Sequence, residues 1–252
     1  MRIYFRASVD GRIRDDPIVG GAVMAEWVDL TLTLGGPRMS VVPEHPEVTF
    51  KPIHTHKGHF RSNTFMSMSI HCGTHVDCPR HFVDGGTTID EMPLERYMGR
   101  GILADLRGKV AENEAVTLEV LKPFGWTPGR IHDKIVVLHT GWLDRAFGTE
   151  RLYVDNPYMA VEVAESFVEA GVRAIAVDFT VDKLPPGQPP QAGDCPIHRI
   201  VLPRMIPLIE NLTNLDKLVG KEFELYALPL KIYQGDGAAT RAVARILGDA
   251  QA

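Results

Sequence analysis

Apolar and polar positions alternate along much of this chain, and the pattern predicts strands more often than helices. Trp27-Val-Asp-Leu-Thr-Leu-Thr-Leu34 alternates in the manner of a half-buried strand. Residues 63–70 alternate again, with Phe65, Met66, Met68 and Ile70 leading directly into His71. Residues 101–106, 134–139 and 172–179 are short apolar runs bounded by turn residues, and each reads as a buried strand. Residues 158–170 place Met159, Val163, Phe167 and Ala170 on one stripe and end at Gly171, which predicts a helix with a glycine C-cap. A shorter helix is expected over residues 117–121. Residues 222–233 and 239–247 read as two strands around a tight Gly235-Asp236-Gly237 turn. Residues 35–52 and the Pro-rich stretch 184–191 read as loops.

Strands interleaved with helices imply an α/β or α+β domain with a mixed sheet. The first 26 residues lack a sustained period and read as an N-terminal extension, leaving residues 27–252 as one domain. Composition narrows the function. A net charge of -5 argues against a nucleic-acid partner, which needs a stripe of Lys and Arg to neutralise phosphates. No stretch approaches the roughly 18 apolar residues of a membrane span. Three cysteines in 252 residues do not form a disulfide framework, so a reducing, cytoplasmic setting is expected.

Chemistry concentrates in one run, His71-Cys-Gly-Thr-His-Val-Asp-Cys-Pro-Arg-His81. Imidazole nitrogen and carboxylate oxygen are the usual ligands of first-row divalent ions. Residues four apart on a strand are separated by roughly 13 Å, too far to share an ion. Gly73 and Pro79 make an uninterrupted helix equally unsuitable. The run must therefore bend at Gly73, send His75 and Asp77 to one side, and turn again at Pro79 to return His81. Such a curl at a strand end leaves coordination positions open for water and substrate, as catalytic sites require. Single histidines are commonly ordinary core or surface residues, but four donors with a glycine and a proline at the bends point to a metal. Cys72 and Cys78 offer thiolates for a structural zinc, yet the later partner cysteines of such a site are missing.

A second constellation lies downstream, in Asp194-Cys-Pro-Ile-His198 and in Glu210-Asn211-Leu212 after an apolar run. Glu210 is open to two readings: a solvated strand end, or a buried carboxylate that needs a cation to offset its desolvation. His45, His132 and His139 lack tight partner spacing and read as structural or solvent-exposed. So do His54, His56 and His59, unless they line a pocket mouth.

The pattern His-x-Gly-Thr-His-x-Asp-x-Pro-x-His of residues 71–81 resembles the hallmark of the cyclase-like metal hydrolases, a family that includes bacterial kynurenine formamidase and isatin hydrolase. Asp29-Leu-Thr, Thr140-Gly-Trp142, Pro196-Ile-His198 and Pro207-Leu-Ile-Glu-Asn-Leu212 resemble its further motifs. The resemblance implies a swivelling β/β/α-type fold with a mixed sheet, a homodimer or homotetramer, and a bound Zn²⁺ or Mn²⁺. It implies His71, His75 and Asp77 as metal ligands, His81 as a second-metal ligand or catalytic base, and His198 and Glu210 as further ligands or proton-transfer groups. The implied activity is hydrolysis, by metal-activated water, of a C–N bond in a small amide, formamide, imide or lactam. The same donors also suit a cyclase or lyase working through a metal-stabilised enolate, or a binding protein without turnover. Where kynurenine formamidases carry a Trp-Pro-Gly-Asp-like stretch, this chain reads Val41-Val-Pro-Glu-His-Pro46, so the resemblance leaves the substrate open.

Overall fold

The computed structural model describes residues 25–36, 39–40, 42–183, 191 and 193–250. Residues 1–24 of the expected N-terminal extension, Val41, and residues 184–190 of the Pro-rich loop lie outside them.

Nine strands form one mixed sheet: β1 (Trp27–Asp29), β2 (His75–Asp77), β3 (Met98–Asp105), β4 (Ile135–His139), β5 (Ala174–Val177), β6 (Leu208–Glu210), β7 (Lys221–Tyr226), β8 (Gly237–Ala239) and β9 (Val243–Asp249). Their order is β1-β9-β7-β3-β4-β5-β6-β2-β8. The centre, β3 to β6, is parallel, and the strands outside it pair antiparallel. Parallel strands are covered on both faces and therefore tolerate continuous apolar sequence. In β4, Val136 and Leu138 enter one core while Ile135 and Val137 enter the other.

The two cores are built differently. The outer one packs the sheet against α1 (Val161–Ala170) and α2 (Pro196–Val201), through Val163, Phe167, Ile197 and Val201. Helix α1 buries Val163, Ala164, Phe167 and Ala170 on one stripe and ends at Gly171 with φ +68°. The inner core draws on strands from one edge of the sheet to the other and is rich in alanine: Ala174, Ala176, Ala238, Ala242 and Ala244.

Chain connectivity explains that small-residue interior. Only residues 240–242 join β8 to β9, and a link of that length spans at most ~14 Å. In a flat sheet of this order, seven strand intervals would separate the two by ~34 Å. The sheet must therefore curl until its edges meet. The seam is closed by Leu30 N–H to Ala242 O (2.9 Å), Thr213 N–H to Leu30 O (3.0 Å) and Leu32 N–H to the Thr74 hydroxyl (2.9 Å).

Four expectations need correction. The first predicted strand leaves the ladder after Asp29, because Leu30 and Leu32 spend their N–H groups on the seam. The strand expected over residues 63–70 stops at Ser67, pairs only with Thr49–His54, and forms an exposed hairpin apart from the sheet. Its partner strand begins inside the expected loop 35–52 and runs on to His54. The Gly-Asp-Gly turn does not close a hairpin: β7 does pair with β9, but β8 lies between them in sequence and sits on the far edge. Period alone did not distinguish a tight turn from a return across a curled sheet.

Phe167 is buried in the outer core beside Trp126, with ring centroids 6.0 Å apart. Phe167→Ala is expected to cost ~3–5 kcal/mol by chemical denaturation. A loss under about 1 kcal/mol would mean the outer core does not depend on this contact.

Candidate metal centre

The run from His71 folds as a double bend. Gly73 has φ +66°, and a Cβ there would lie 2.7 Å from Leu34 Cδ2, so the position suits glycine on both counts. The chain then enters β2, where Val76 points into the inner core and His75 and Asp77 point to the opposite side. Pro79 opens a single 3₁₀ turn, closed by His81 N–H to Cys78 O (3.0 Å), that brings His81 back. Across the ladder, His75 faces Glu210 on β6, and Asp77 faces Gly237 on β8. Gly237 makes room for the His71 ring: a Cβ there would lie 2.7 Å from His71 Cε1 and from Val76 O.

Asp77 is the hub. Its Oδ1 lies 2.7 Å from His71 Nδ1 and 3.4 Å from His75 Nε2, and its Oδ2 lies 3.4 Å from His198 Nε2. His75 Nε2 is also 3.9 Å from Glu210 Oε2. Each of these imidazoles turns its other nitrogen outward to an acceptor. His75 Nδ1 donates to Gly73 O (2.9 Å), His198 Nδ1 to Asp182 Oδ2 (2.6 Å), and His71 Nε2 faces Asp236 Oδ2 at 3.3 Å. Outer partners of this kind set the tautomer and ring orientation of metal-binding histidines. His81 stacks on His71 at 3.8 Å between centroids, is partly exposed, and has Nδ1 3.8 Å from Asp236 Oδ2.

This arrangement fits a divalent ion. Asp77 Oδ2 is buried without a hydrogen bond, a costly state that a cation relieves. Donor separations of about 3 Å or slightly more are those of neighbouring ligands with bonds of roughly 2.0–2.2 Å. His71, His75 and Asp77 form one group of converging donor atoms; Asp77, His81 and His198 form another; His71, His81 and Asp236 form a third.

The electrostatics of the metal-free cluster also favour positive charge at its centre. For Asp77, burial favours the neutral acid, but His75, His71 and His198 outweigh it and hold the carboxyl well below the ordinary range. Burial opposes charge on His71 and His198. Asp77 and Asp236 nevertheless hold His71 at about 10, and Asp182, Asp77 and Glu210 hold His198 at about 10. His81 is lowered to about 4, by burial first, with His71 and His198 adding to it and Asp77 opposing. Burial and then Asp77 push the Glu210 carboxyl upward.

The structure thus brings His71, His75, Asp77, His81, His198 and Glu210 to one place, with Glu210 buried and no longer a candidate for a solvated strand end. Cys72 and Cys78 are buried thiols outside these donor groups, whereas Cys195 forms a fourth with Asp182 and His198. His54, His56 and His59 lie on the exposed hairpin. Sequence reasoning missed Asp182, Asp236 and Phe82. Asp236 sat in plain view in the Gly-Asp-Gly turn, but nothing in the sequence connected that turn to His71.

The family model described as putative cyclase matches residues 28–183. The chain belongs to the cyclase family. Among its curated relatives, the kynurenine formamidase of Erythrobacter litoralis is 31% identical over 185 residues, covering 73% of this chain and 77% of that protein. The kynurenine formamidase of Bacillus cytotoxicus is 28% identical, covering 72% of this chain and 79% of that protein. Isatin hydrolase A from Labrenzia aggregata, solved with benzyl benzoate, superposes with a TM-score of 0.75 at 26% identity, over 88% of this chain and 94% of that one. This cyclase-family chain thus shares its curled mixed-sheet fold with isatin hydrolase. Among the described residues, no helix is long and apolar enough to cross a membrane.

In metal-free protein, the raised values of His71 and His198 contribute stability fully present below pH ~6.5, the unfolded value. That contribution is lost as pH rises through about 10. The melting temperature of chelator-treated protein is expected to fall between pH 7 and 10, and saturating Zn²⁺ to remove the fall. A flat profile without metal would contradict this electrostatic account.

Proposed function

We propose that this chain is a metal-dependent hydrolase of a non-peptide C–N bond, with His71, His75 and Asp77 as ligands of a divalent ion, Zn²⁺ or Mn²⁺. One observation carries the ligand assignment: the buried Asp77 carboxylate meets the imidazoles of His71 and His75 within 3.4 Å, and the other nitrogen of each faces an acceptor. The names of the relatives, a formamidase and an isatin hydrolase, support the reaction class. When bound, such an ion lowers the pKa of a coordinated water toward neutrality and polarises a carbonyl oxygen.

The chain's own groups supply the rest. His81 lies at the open side of the cluster, and its ring is held by stacking on His71. It takes the proton of the attacking water and delivers it to the leaving nitrogen. Glu210 and His198 also border the cluster; they share the proton traffic or, with His81, hold a second ion. Phe82 forms an aromatic wall, 4.7 Å from the His198 ring and 4.6 Å from His81, and the Arg199 guanidinium lies 5.1 Å over it. An aromatic face beside a cation suits a small aryl amide, formamide, imide or lactam that bears or acquires negative charge.

The working unit is proposed to be a homodimer or homotetramer. The hairpin exposes Phe50, Ile53, Phe60, Phe65 and Met66, with Phe60 92% exposed. A two-stranded hairpin is marginal in water unless something covers it, and a second copy would supply that cover. Three free cysteines accord with a cytoplasmic setting.

His75→Ala is expected to abolish metal retention in elemental analysis. His81→Ala should keep the metal but lose at least ~10²-fold in turnover of isatin or an aryl formamide. Full activity of His81→Ala would overturn the base assignment. Solvent ¹⁸O should appear in the product, and its absence would favour an enolate route. The double variant Phe60→Asp with Phe65→Asp should sediment as a smaller species than the wild type; unchanged sedimentation would remove the hairpin from the interface.

A further inference from the structure

Between β5 and α2 the chain passes through Thr180-Val181-Asp182, and this short stretch touches both Glu210 and His198. Val181 N–H donates to Glu210 Oε1 (3.0 Å). The buried Asp182 carboxylate accepts from Ile197 N–H (3.0 Å), from His198 N–H (3.2 Å) and from His198 Nδ1 (2.6 Å). The stretch is itself held from behind. The side-chain amide of buried Asn156 donates to Thr180 O (2.9 Å) and Asp182 O (3.1 Å), and Met159 N–H donates to Val181 O (2.8 Å).

Asp182 does more than cap α2. The residue at the N-cap position, Cys195, sits in the left-handed region (φ +57°) and makes no side-chain cap bond, so Asp182 satisfies the helix start from a distant segment. Its shortest contact, however, goes to the imidazole rather than to the backbone. A carboxylate accepts only, so it selects the tautomer with hydrogen on Nδ1. With an ion bound and the second proton lost, the lone pair of His198 Nε2 would then face the centre beside Asp77 Oδ2, 3.4 Å away.

We propose that Asp182 is a positioning residue of the hydrolytic site. It fixes the tautomer and orientation of His198, and the Thr180–Asp182 strap, through Val181, fixes Glu210 from the same piece of backbone. One segment thereby sets the placement of both groups. The inference rests on the roles proposed above for His198 and Glu210. Asn at position 182 preserves size and can still accept from Ile197 N–H, but its NH₂, in the place of Oδ2, meets both His198 N–H and the Nδ1–H tautomer as donor against donor. Outer partners of metal-site histidines typically contribute ~10–100-fold to affinity or activity.

The test uses full-length Zn²⁺-loaded protein with ¹⁵N-labelled histidine. Long-range ¹H–¹⁵N correlation should show His198 with hydrogen on Nδ1 in the wild type and an altered tautomer in Asp182→Asn. The variant, folded, should lose ~10–100-fold in kcat on isatin or formanilide, or in Zn²⁺ affinity by chelator competition, with KM nearly unchanged. An Nε2–H tautomer in the wild type would overturn the proposal with no variant needed. So would an unchanged kcat and Zn²⁺ affinity in folded Asp182→Asn. His198→Ala separates the two levels: if it leaves activity and Zn²⁺ affinity intact, the role of His198 fails. If it removes them while Asp182→Asn does not, only the positioning inference fails.

Discussion

A carboxylate buried as completely as that of Asp77 carries a desolvation penalty of several kcal/mol, and a strand alone offers it no compensation. The surrounding structure supplies that compensation from three directions. His75 comes from the same strand, His71 from the bend before it, and His198 from a helix over the sheet, while Glu210 on the neighbouring strand is a second buried carboxyl with the same need for positive charge. Without metal, protonated His71 and His198 provide the positive charge. A divalent ion replaces those protons with one centre of charge, which is why metal binding and proton release are linked.

That arrangement requires the sheet to curl. His71, β2 and Asp236 lie near one edge, while the sequence that follows β8 must return to the other edge within three residues. Alanines on the inner face permit the curvature, and the hydrogen bonds of Leu30, Leu32 and Thr74 close the seam beside the centre. Stability and site geometry therefore share parts. Thr74 stands next to His75 in sequence, donates to Asn211 O next to Glu210, and holds the edge strand through Leu32. Damage to the seam is damage to the metal centre.

Much of the centre was legible in the sequence because its chemistry is local. The spacing of His71, His75, Asp77 and His81, with Gly73 and Pro79 as pivots, dictates a double bend that the structure contains. The central strands were legible because residues buried on both faces must be continuously apolar. Long-range pairing was not. Nothing within the 222–247 stretch says that β8 crosses to the far edge, so Asp236 could not be connected to His71. Asp182 was hidden for the same reason: its partners begin fifteen residues later, beyond a Pro-rich stretch. The hairpin of Thr49–His54 and Asn63–Ser67 misled because its apolar residues are exposed rather than packed in a core.

Membership in the cyclase family and likeness to isatin hydrolase agree with chemistry that an aspartate-centred cluster of imidazoles supports. The central claim is that His71, His75 and Asp77 hold one divalent ion at that cluster. Anomalous diffraction at the zinc edge, from crystals grown with Zn²⁺, tests it directly. The account predicts a peak bonded to these three residues at roughly 2.0–2.2 Å. A well-ordered crystal saturated with Zn²⁺ that showed no peak there, or only one at Cys195, would contradict it.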